Sequence, residues 1–364
     1  MMRFLHFADL HLDAPFAWAR TETARRRRRN RRETLMRILQ LAADERVDAV
    51  LCAGDLFEHE RFTPDTLAFL RESFARTDLP IYLAPGNHDW YSARSPYALV
   101  DWSPNVHLFT EARLMPVELA DGLTLWGAAH RAPANTDPFF AGFRPDRGGV
   151  HLALAHASER SALPFQGPDK QLHAPFDAEE LEAAGIAHAF LGHYHVARDR
   201  DRYTYPGNPD PLEFGESDGR GVVLARVAGD GTLTRERRSV AVSPVHDLQV
   251  PLDGSQHVED VRERVATAIG GLTGSVRLTL IGEVPADLQV DPRALALMGE
   301  HLDGLVVRAV ALVPAYDLEA IHAEATVRGQ FARDAQQIED EERRRKVLVT
   351  GLRALAGRAD LEVA

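Results

Sequence analysis

The run Asp48-Ala49-Val50-Leu51-Cys52-Ala53 is apolar and β-rich, and it stops at Gly54-Asp55. A short apolar run closed by a turn signal reads as a buried strand. The same pattern recurs on both sides of it. Arg3–Ala8 is a strand ending in Asp9-Leu10-His11, and Leu79–Ala84 is one ending in Gly86-Asn87-His88-Asp89. Between them, Thr34–Asp44 has helical spacing at Leu35, Ile38, Leu39 and Ala42, and Thr63-Pro64-Asp65 starts a second helix. Farther on, Val150–Ala155 ends at His156, and Ala187–Leu191 ends at Gly192-His193-Tyr194-His195. Strands interleaved with helices, then several consecutive strands, predict an α/β fold with a mixed sheet or two sheets covered by helices. Ligands of open α/β sheets gather beyond the carboxyl ends of strands, so these polar ends are expected to converge.

The pattern changes near Ser243-Pro244. Leu248–Leu252, Val258–Ile269, Ser275–Val284, Pro292–Leu302 and Val306–Val313 read as β-α-β-α-β, and Tyr316 to Leu355 reads as helix. The expected domains are a catalytic unit at 1–243, a capping unit at 244–314 that positions substrate, and a helical docking tail at 315–364. In the tail, Leu318, Ile321 and Ala325, then Ile338, Val349, Leu352 and Leu355, form apolar stripes. They follow a complete cap, so they are expected to await a partner.

Composition sets the outer limits. The 364 residues carry a net charge of −12, with 45% hydrophobic and 26% charged residues. These values exclude a mostly disordered chain and a protein that coats nucleic acid by charge alone. A single cysteine, Cys52, excludes an internal disulfide and suits a reducing cytoplasm. No stretch is apolar for long enough to span a membrane. Histidine is the distinctive residue: 12 of the 16 lie in the first 195 positions.

Asp9, His11, Asp55, Asn87, His156, His193 and His195 offer mixed oxygen and nitrogen ligation. That set suits manganese, iron or zinc better than calcium or a thiolate-bound metal. One aspartate shared by two divalent ions would hold them about 3.5–4 Å apart, the spacing used in phosphoryl hydrolysis. His88 adjoins a ligand and could protonate a leaving oxygen, with Asp89 to orient it. Taken singly, Asp-x-His is weak evidence, and Gly-Asn-His-Asp makes a good turn. Five such elements, each after a strand, are hard to assign to coincidence. His6, His107 and His151 lie in or beside strands and read as structural; His130 is open.

Arg25, Arg26, Arg27, Arg28, Arg29, Arg31 and Arg32 precede the first helix and have two readings. They are a solvated face enriched by a bias that leaves only Lys170 and Lys346 as lysines. Alternatively they form a phosphate-contacting patch near the active site, each neutralised nucleic-acid phosphate lowering the slope of log K against log salt by about 0.9.

Together the motifs resemble those of the calcineurin-like metallophosphoesterases. The surroundings Phe7-Ala8-Asp9-Leu10-His11-Leu12 and Gly54-Asp55-Leu56-Phe57 resemble the SbcD family of DNA-repair exonucleases. Its YhaO-like branch is closer still, through Asp9–Phe16, Ser95-Pro96-Tyr97, Asn105-Val106-His107 and Thr326–Phe331. The resemblance implies a four-layered α/β/β/α sandwich with a small α/β cap and a helical tail. It implies one metal on Asp9, His11, Asp55 and His195, and a second on Asp55, Asn87, His156 and His193. His88 would contact the scissile phosphate or protonate the leaving group. The implied activity is manganese-dependent exonuclease and endonuclease cleavage of DNA. The implied partners are DNA ends and a coiled-coil SbcC-like ATPase; a homodimer is compatible with it. Some members carry a histidine three residues after the bridging aspartate, where this chain has Glu58 followed by His59. Two alternatives remain: a small-molecule or cyclic-nucleotide phosphodiesterase on the same scaffold, and a non-catalytic DNA-end-binding scaffold. The additional residues 244–364 weigh against the first, and the intact ligand set against the second.

Overall fold

A computed structural model describes residues 1–134, 137–165, 171–216, 219–286 and 288–357; the end of the expected tail, 358–364, lies outside it. The described chain divides into two compact units. The first comprises Met1–His246 with Thr273–Ser275 and His301–Gly304. The second comprises Asp247–Leu272, Val276–Glu300 and the described residues from Leu305 on.

In the first unit, β1 (Met2–Phe7), β2 (Ala49–Cys52), β3 (Ile81–Leu83) and β4 (Val106–Leu108) pair in parallel. β5 (Met115–Ala120), β6 (Leu123–Gly127), β7 (Val150–His156), β8 (His188–Gly192), β9 (Arg198–Asp199) and β10 (Tyr203–Tyr205) form a second sheet, ordered β5-β6-β7-β8-β10-β9. β11 (Val222–Val227) and β12 (Leu233–Arg238) return to the first sheet, giving β12-β11-β1-β2-β3-β4. The crossovers carry α1 (Thr21–Asp44), α2 (Pro64–Ala75), α3 (Pro96–Leu99) and α4 (Ala178–Ala183).

Strand side chains alternate between faces, and here both faces are buried. Leu5, Val50 and Cys52 pack outward with Leu35 and Ile38 of α1 and Leu70 and Phe74 of α2. Phe4 and Leu51 point inward and meet Leu152, Leu154 and Phe190 of the other sheet. Ala153, Ala155, Ala189 and Leu191 face outward again, toward Leu181 of α4. The layers are therefore helix, sheet, sheet, helix. This is why the strands read as continuous apolar runs rather than alternating ones.

α1 differs from the sequence reading. It starts at Thr21, so the arginine run lies inside the helix rather than before it. Arginine is a good helix former, and no glycine or proline interrupts the run. The buried positions of α1 are Ala24, Arg27, Arg31, Thr34, Leu35, Ile38, Leu39 and Ala42, a stripe at three- and four-residue intervals. Two arginines fall on that stripe.

The second unit carries most of the sheet β13-β14-β15, formed by β13 (Val245–Pro251), β14 (Ser275–Pro285) and β15 (Gly304–Ala315). Its helices are α5 (Val258–Ile269), α6 (Pro292–Ala296), α7 (Leu318–Ala323), α8 (Val327–Ala335) and α9 (Glu341–Leu355). Asp317, Thr326 and Asp340 cap the last three by accepting from Ala320 N, Gly329 N and Arg343 N. Ile321, Ala332, Ala335, Leu348 and Leu352 of α7, α8 and α9 then bury together. The expectation of an uncovered apolar stripe is thus corrected: Ile321 and Leu352 are covered by the tail's own helices. Among the described residues, no helix is long and apolar enough to cross a membrane.

Phe190 is fully buried between the sheets, 5.9 Å from the ring of Phe4 and 5.2 Å from that of His6. Phe190→Ala should cost about 3–5 kcal/mol, the usual range for emptying an aromatic core position. Equilibrium urea denaturation measures it, and a loss under about 1 kcal/mol would show that the layers do not depend on this contact.

Candidate metal centre

The loops after β1, β2, β3, β7 and β8 converge at one end of the two sheets. Backbone bonds lock the first two together: Asp9 N donates to Gly54 O at 3.0 Å and His11 N to Asp55 O at 2.9 Å. This tight geometry puts Asp9, His11, Asp55 and His193 at positive φ, which non-glycine residues rarely adopt. Such strain persists only where the surroundings over-determine it, and it concentrates at functional sites. Gly54 has φ +87, and a Cβ there would lie 2.6 Å from Gly86 N and 2.7 Å from His156 Nδ1. At Gly192 a Cβ would strike Ala53 O. These glycines let the strand ends close in on one another.

The carboxylates lie among the imidazoles. Asp55 Oδ2 is 3.7 Å from His11 Nε2 and 3.2 Å from His156 Nε2. Asp9 Oδ1 is 4.0 Å from His195 Nε2, and both Asp9 oxygens accept from His193 N at 3.1 Å. Asn87 Oδ1 is 3.1 Å from His156 Nε2, whose ring is 5.2 Å from that of His193. Asp9, His11 and His195 form one compact donor group, and Asp9, Asp55 and His156 another. All seven expected ligand residues are therefore brought together, with Asp9 and Asp55 in the middle.

Each histidine is held from behind. His11 Nδ1 bonds Glu58 Oε1 at 2.7 Å, and His195 Nδ1 bonds Glu216 Oε1 at 3.0 Å. His156 Nδ1 donates to Ala53 O at 2.8 Å, and His193 Nε2 donates to Gln171 O at 2.8 Å. Carbonyl and carboxylate oxygens accept the N–H of these ring nitrogens, which leaves the opposite ring nitrogen for a metal. His11, His156 and His195 thus present Nε2 to the centre, and His193 presents Nδ1. Metal-binding histidines are oriented in this way. Burial opposes the charge on Glu58 and Glu216, yet their imidazole hydrogen bonds outweigh it and hold both carboxyls well below the usual range. Burial lowers His11, and Glu58 only partly offsets it, so the ring stays neutral as a ligand must.

The role expected of Asp89 needs correction. Its carboxylate accepts from Asp55 N, Leu56 N, Gly86 N and the Tyr97 hydroxyl at 2.6–3.1 Å. It braces the Asp55 loop instead of orienting His88, and burial beside Asp55 pushes it up to about 6. The partner of His88 is Glu58, whose Oε2 is 2.9 Å from Nδ1. One carboxylate therefore serves both His11 and His88, whose rings meet edge to face at 4.8 Å. The departure at position 58 marked this residue in the sequence, but its two contacts are visible only in the fold. Glu216 and Gln171 carried no sequence signal, whereas His130, left open by the sequence, supports the site by donating its Nε2 proton to His156 O at 2.6 Å.

The donor set fits divalent metal. His11 Nε2 is buried and has no hydrogen-bond partner among the described residues, and it faces carboxylate oxygen. Four imidazoles, two carboxylates and one amide oxygen suit ions of the manganese, iron or zinc type.

The family model for calcineurin-like phosphoesterases matches residues 2–197, which contain all seven expected ligand residues. The chain belongs to the calcineurin-like phosphoesterases. An uncharacterized metallophosphoesterase, YhaO of Bacillus subtilis (strain 168), is 26% identical over 330 residues, covering 84% of this chain and 77% of that protein. The DNA double-strand break repair protein Mre11 of Haloferax volcanii is 28% identical over 273 residues, 73% of this chain and 58% of that protein. Mre11 of Methanopyrus kandleri is 28% identical over 300 residues, 72% of this chain and 62% of that protein. The chain thus spans under two thirds of the length of these two archaeal relatives. The motif resemblance holds for the family and for its YhaO-like, SbcD-type side. As a calcineurin-like phosphoesterase the chain is a metal-dependent phosphoester hydrolase.

The arginine run does not line up along this calcineurin-like site as one patch. Arg27 and Arg31 are each 1% exposed and leave the set of DNA contacts. Arg26 pairs with Asp303 and Arg32 with Asp65. Arg25 and Arg29 are exposed, and Arg28 is partly so.

On the expected ligand set, Asp55→Ala should remove both equivalents of bound divalent metal, whereas His195→Ala should remove one. Metal content after gel filtration measures this. Two retained equivalents in Asp55→Ala would show that Asp55 is not the shared ligand.

Proposed function

We propose that this calcineurin-like phosphoesterase is a two-metal phosphodiesterase acting on DNA, an exonuclease that also cleaves single strands internally. The observation that carries the reading is His88. It lies beside the two donor groups, is about half exposed, and is held by Glu58 from the Nδ1 side. A phosphodiester set against the donor groups would meet Nε2 of that ring. The DNA repair relatives and the second unit support DNA over a small diester. We assign the metal as Mn²⁺.

The chemistry that two divalent ions supply when bound is activation of a water and polarisation of the phosphate oxygens. The protein's part is proton placement and orientation. Asp9 and Asp55 supply negative charge between the imidazoles, and their own backbone contacts keep them from rotating away. His88 donates its Nε2 proton to the leaving oxygen as the phosphorus–oxygen bond breaks. Nδ1 of that ring keeps its own proton, donated in a hydrogen bond to Glu58, so the ring passes from protonated to neutral without turning. A coiled-coil ATPase remains the proposed partner. Residues of the tail that stay exposed, such as Val327 and Leu355, would meet it.

End-labelled duplex and single-stranded oligonucleotides, bis-p-nitrophenyl phosphate and cyclic nucleotides, each with Mn²⁺, test the reading. Shortening of the labelled strands is the expected result. Cleavage of small diesters or cyclic nucleotides alone would favour a small-molecule enzyme. His88→Ala should bind two Mn²⁺ ions and lose about 10²–10⁴ in kcat on every substrate that wild type cleaves. Full turnover by this variant would remove His88 from the mechanism.

A further inference from the structure

We infer that Arg31 is a positioning residue that ties the two halves of the first donor group together from behind. The inference rests on the two-metal reading above. Arg31 is fully buried in α1, yet among the described residues its guanidinium makes no ion pair; Asp210 pairs instead with Arg27, at 3.8 Å. Its hydrogen bonds all go to backbone carbonyls on two separate loops. One is Leu10 O, the carbonyl of the residue between Asp9 and His11. The others are Asp210 O at 2.9 Å and Pro211 O at 3.1 Å.

The second loop leads to His195 in two steps. Leu212 N, next after Pro211, donates to Glu216 Oε2 at 2.7 Å, and Asn208 Nδ2 donates to the same oxygen at 2.6 Å. Glu216 Oε1 then holds His195 Nδ1 at 3.0 Å. Arg220 closes the loop by bonding Asn208 Oδ1 and His195 O. A planar fork reaches several carbonyls at fixed angles, which an ammonium cannot do. Arg31 therefore sets the distance between the Asp9-Leu10-His11 loop and the support of His195. The second group is held by other contacts: His156 by Ala53 O, His193 by Gln171 O, and Asp9 itself by His193 N. Loss of the fork should loosen His11 and His195 and leave His156, His193 and Asn87 in place.

The test is a stepwise Mn²⁺ titration by calorimetry on the full chain, together with the melting temperature of the metal-free protein. His195→Ala and Asn87→Ala identify which binding step belongs to which group. Arg31→Lys keeps the charge and removes the fork. It should weaken the step lost in His195→Ala by about 10–100-fold, the usual cost of removing an outer support. The step lost in Asn87→Ala should stay near its wild-type affinity. Glu216→Gln, a nearly isosteric change at the far end of the link, should weaken the same step. Arg37→Met, on the exposed side of the helix, should alter neither. A lowered melting temperature with both affinities intact would make Arg31 a stabilising residue only and overturn the proposal, as would equal weakening of both steps. If Arg31→Lys does not fold, Glu216→Gln decides by the same two outcomes. Wild-type protein that binds no Mn²⁺ would instead sink the two-metal reading, and the brace with it.

Discussion

Two hydrogen bonds cross between the sheets at the point where their strands end. His193 N, after β8, donates to the Asp9 carboxylate after β1, and His156 Nδ1, ending β7, donates to Ala53 O after β2. The rest of the site depends on them. Neither sheet alone carries enough donors for two ions, and the bonds bring the two half-sets within ligand distance. The interlayer core makes them possible, because Phe4, Leu51, Leu154 and Phe190 fix the spacing of the sheets. Gly192 makes them close, since any side chain there would strike Ala53 O.

That proximity has a cost. Asp9, Asp55, His11, His156 and His193 are nearly or fully removed from water. Buried charge is tolerated only when paired or hydrogen-bonded. Here each group has a dedicated support: Glu58 behind His11, Glu216 behind His195, Ala53 and Gln171 carbonyls behind the other two imidazoles. Asp89 stands behind the Asp55 loop and takes four donors. The positive φ angles at Asp9, His11, Asp55 and His193 are the backbone's share of the same cost. An arrangement that stores strain and buries like charges gains most by binding cations.

Glu58 shows how one residue links binding to chemistry. Its two oxygens hold two rings: that of His11, which presents Nε2 to the centre, and that of His88, to which the proposed mechanism gives the proton. The arginines of α1 show the reverse, one motif split between two tasks. A continuous basic run on a helix visits every face, because successive residues turn by about 100°. Arg27 and Arg31 land on the core side and brace loops, while Arg25 and Arg29 stay in water.

The longer strands, their order along the chain and the seven residues that converge at the strand ends were legible in the sequence, because each is a local pattern, whereas the two-residue strand Arg198–Asp199 was not. An apolar run, a glycine and a polar pair are adjacent in the chain, and their chemistry does not depend on what lies opposite. The extent of α1, the fate of its arginines and the closing of the tail on Ile321, Leu348 and Leu352 were not legible. Each depends on which face of a helix meets a neighbour, and periodicity alone does not say what the neighbour is. The same holds for the supports of the site. Asp89 is adjacent to His88 in sequence, yet Glu58, 30 residues away, holds its ring. Glu216, 21 residues from His195, is as far from any motif. A ligand is chosen by its own atoms and shows in the sequence, whereas its support is chosen by what folding places behind it, and only the tertiary structure decides that.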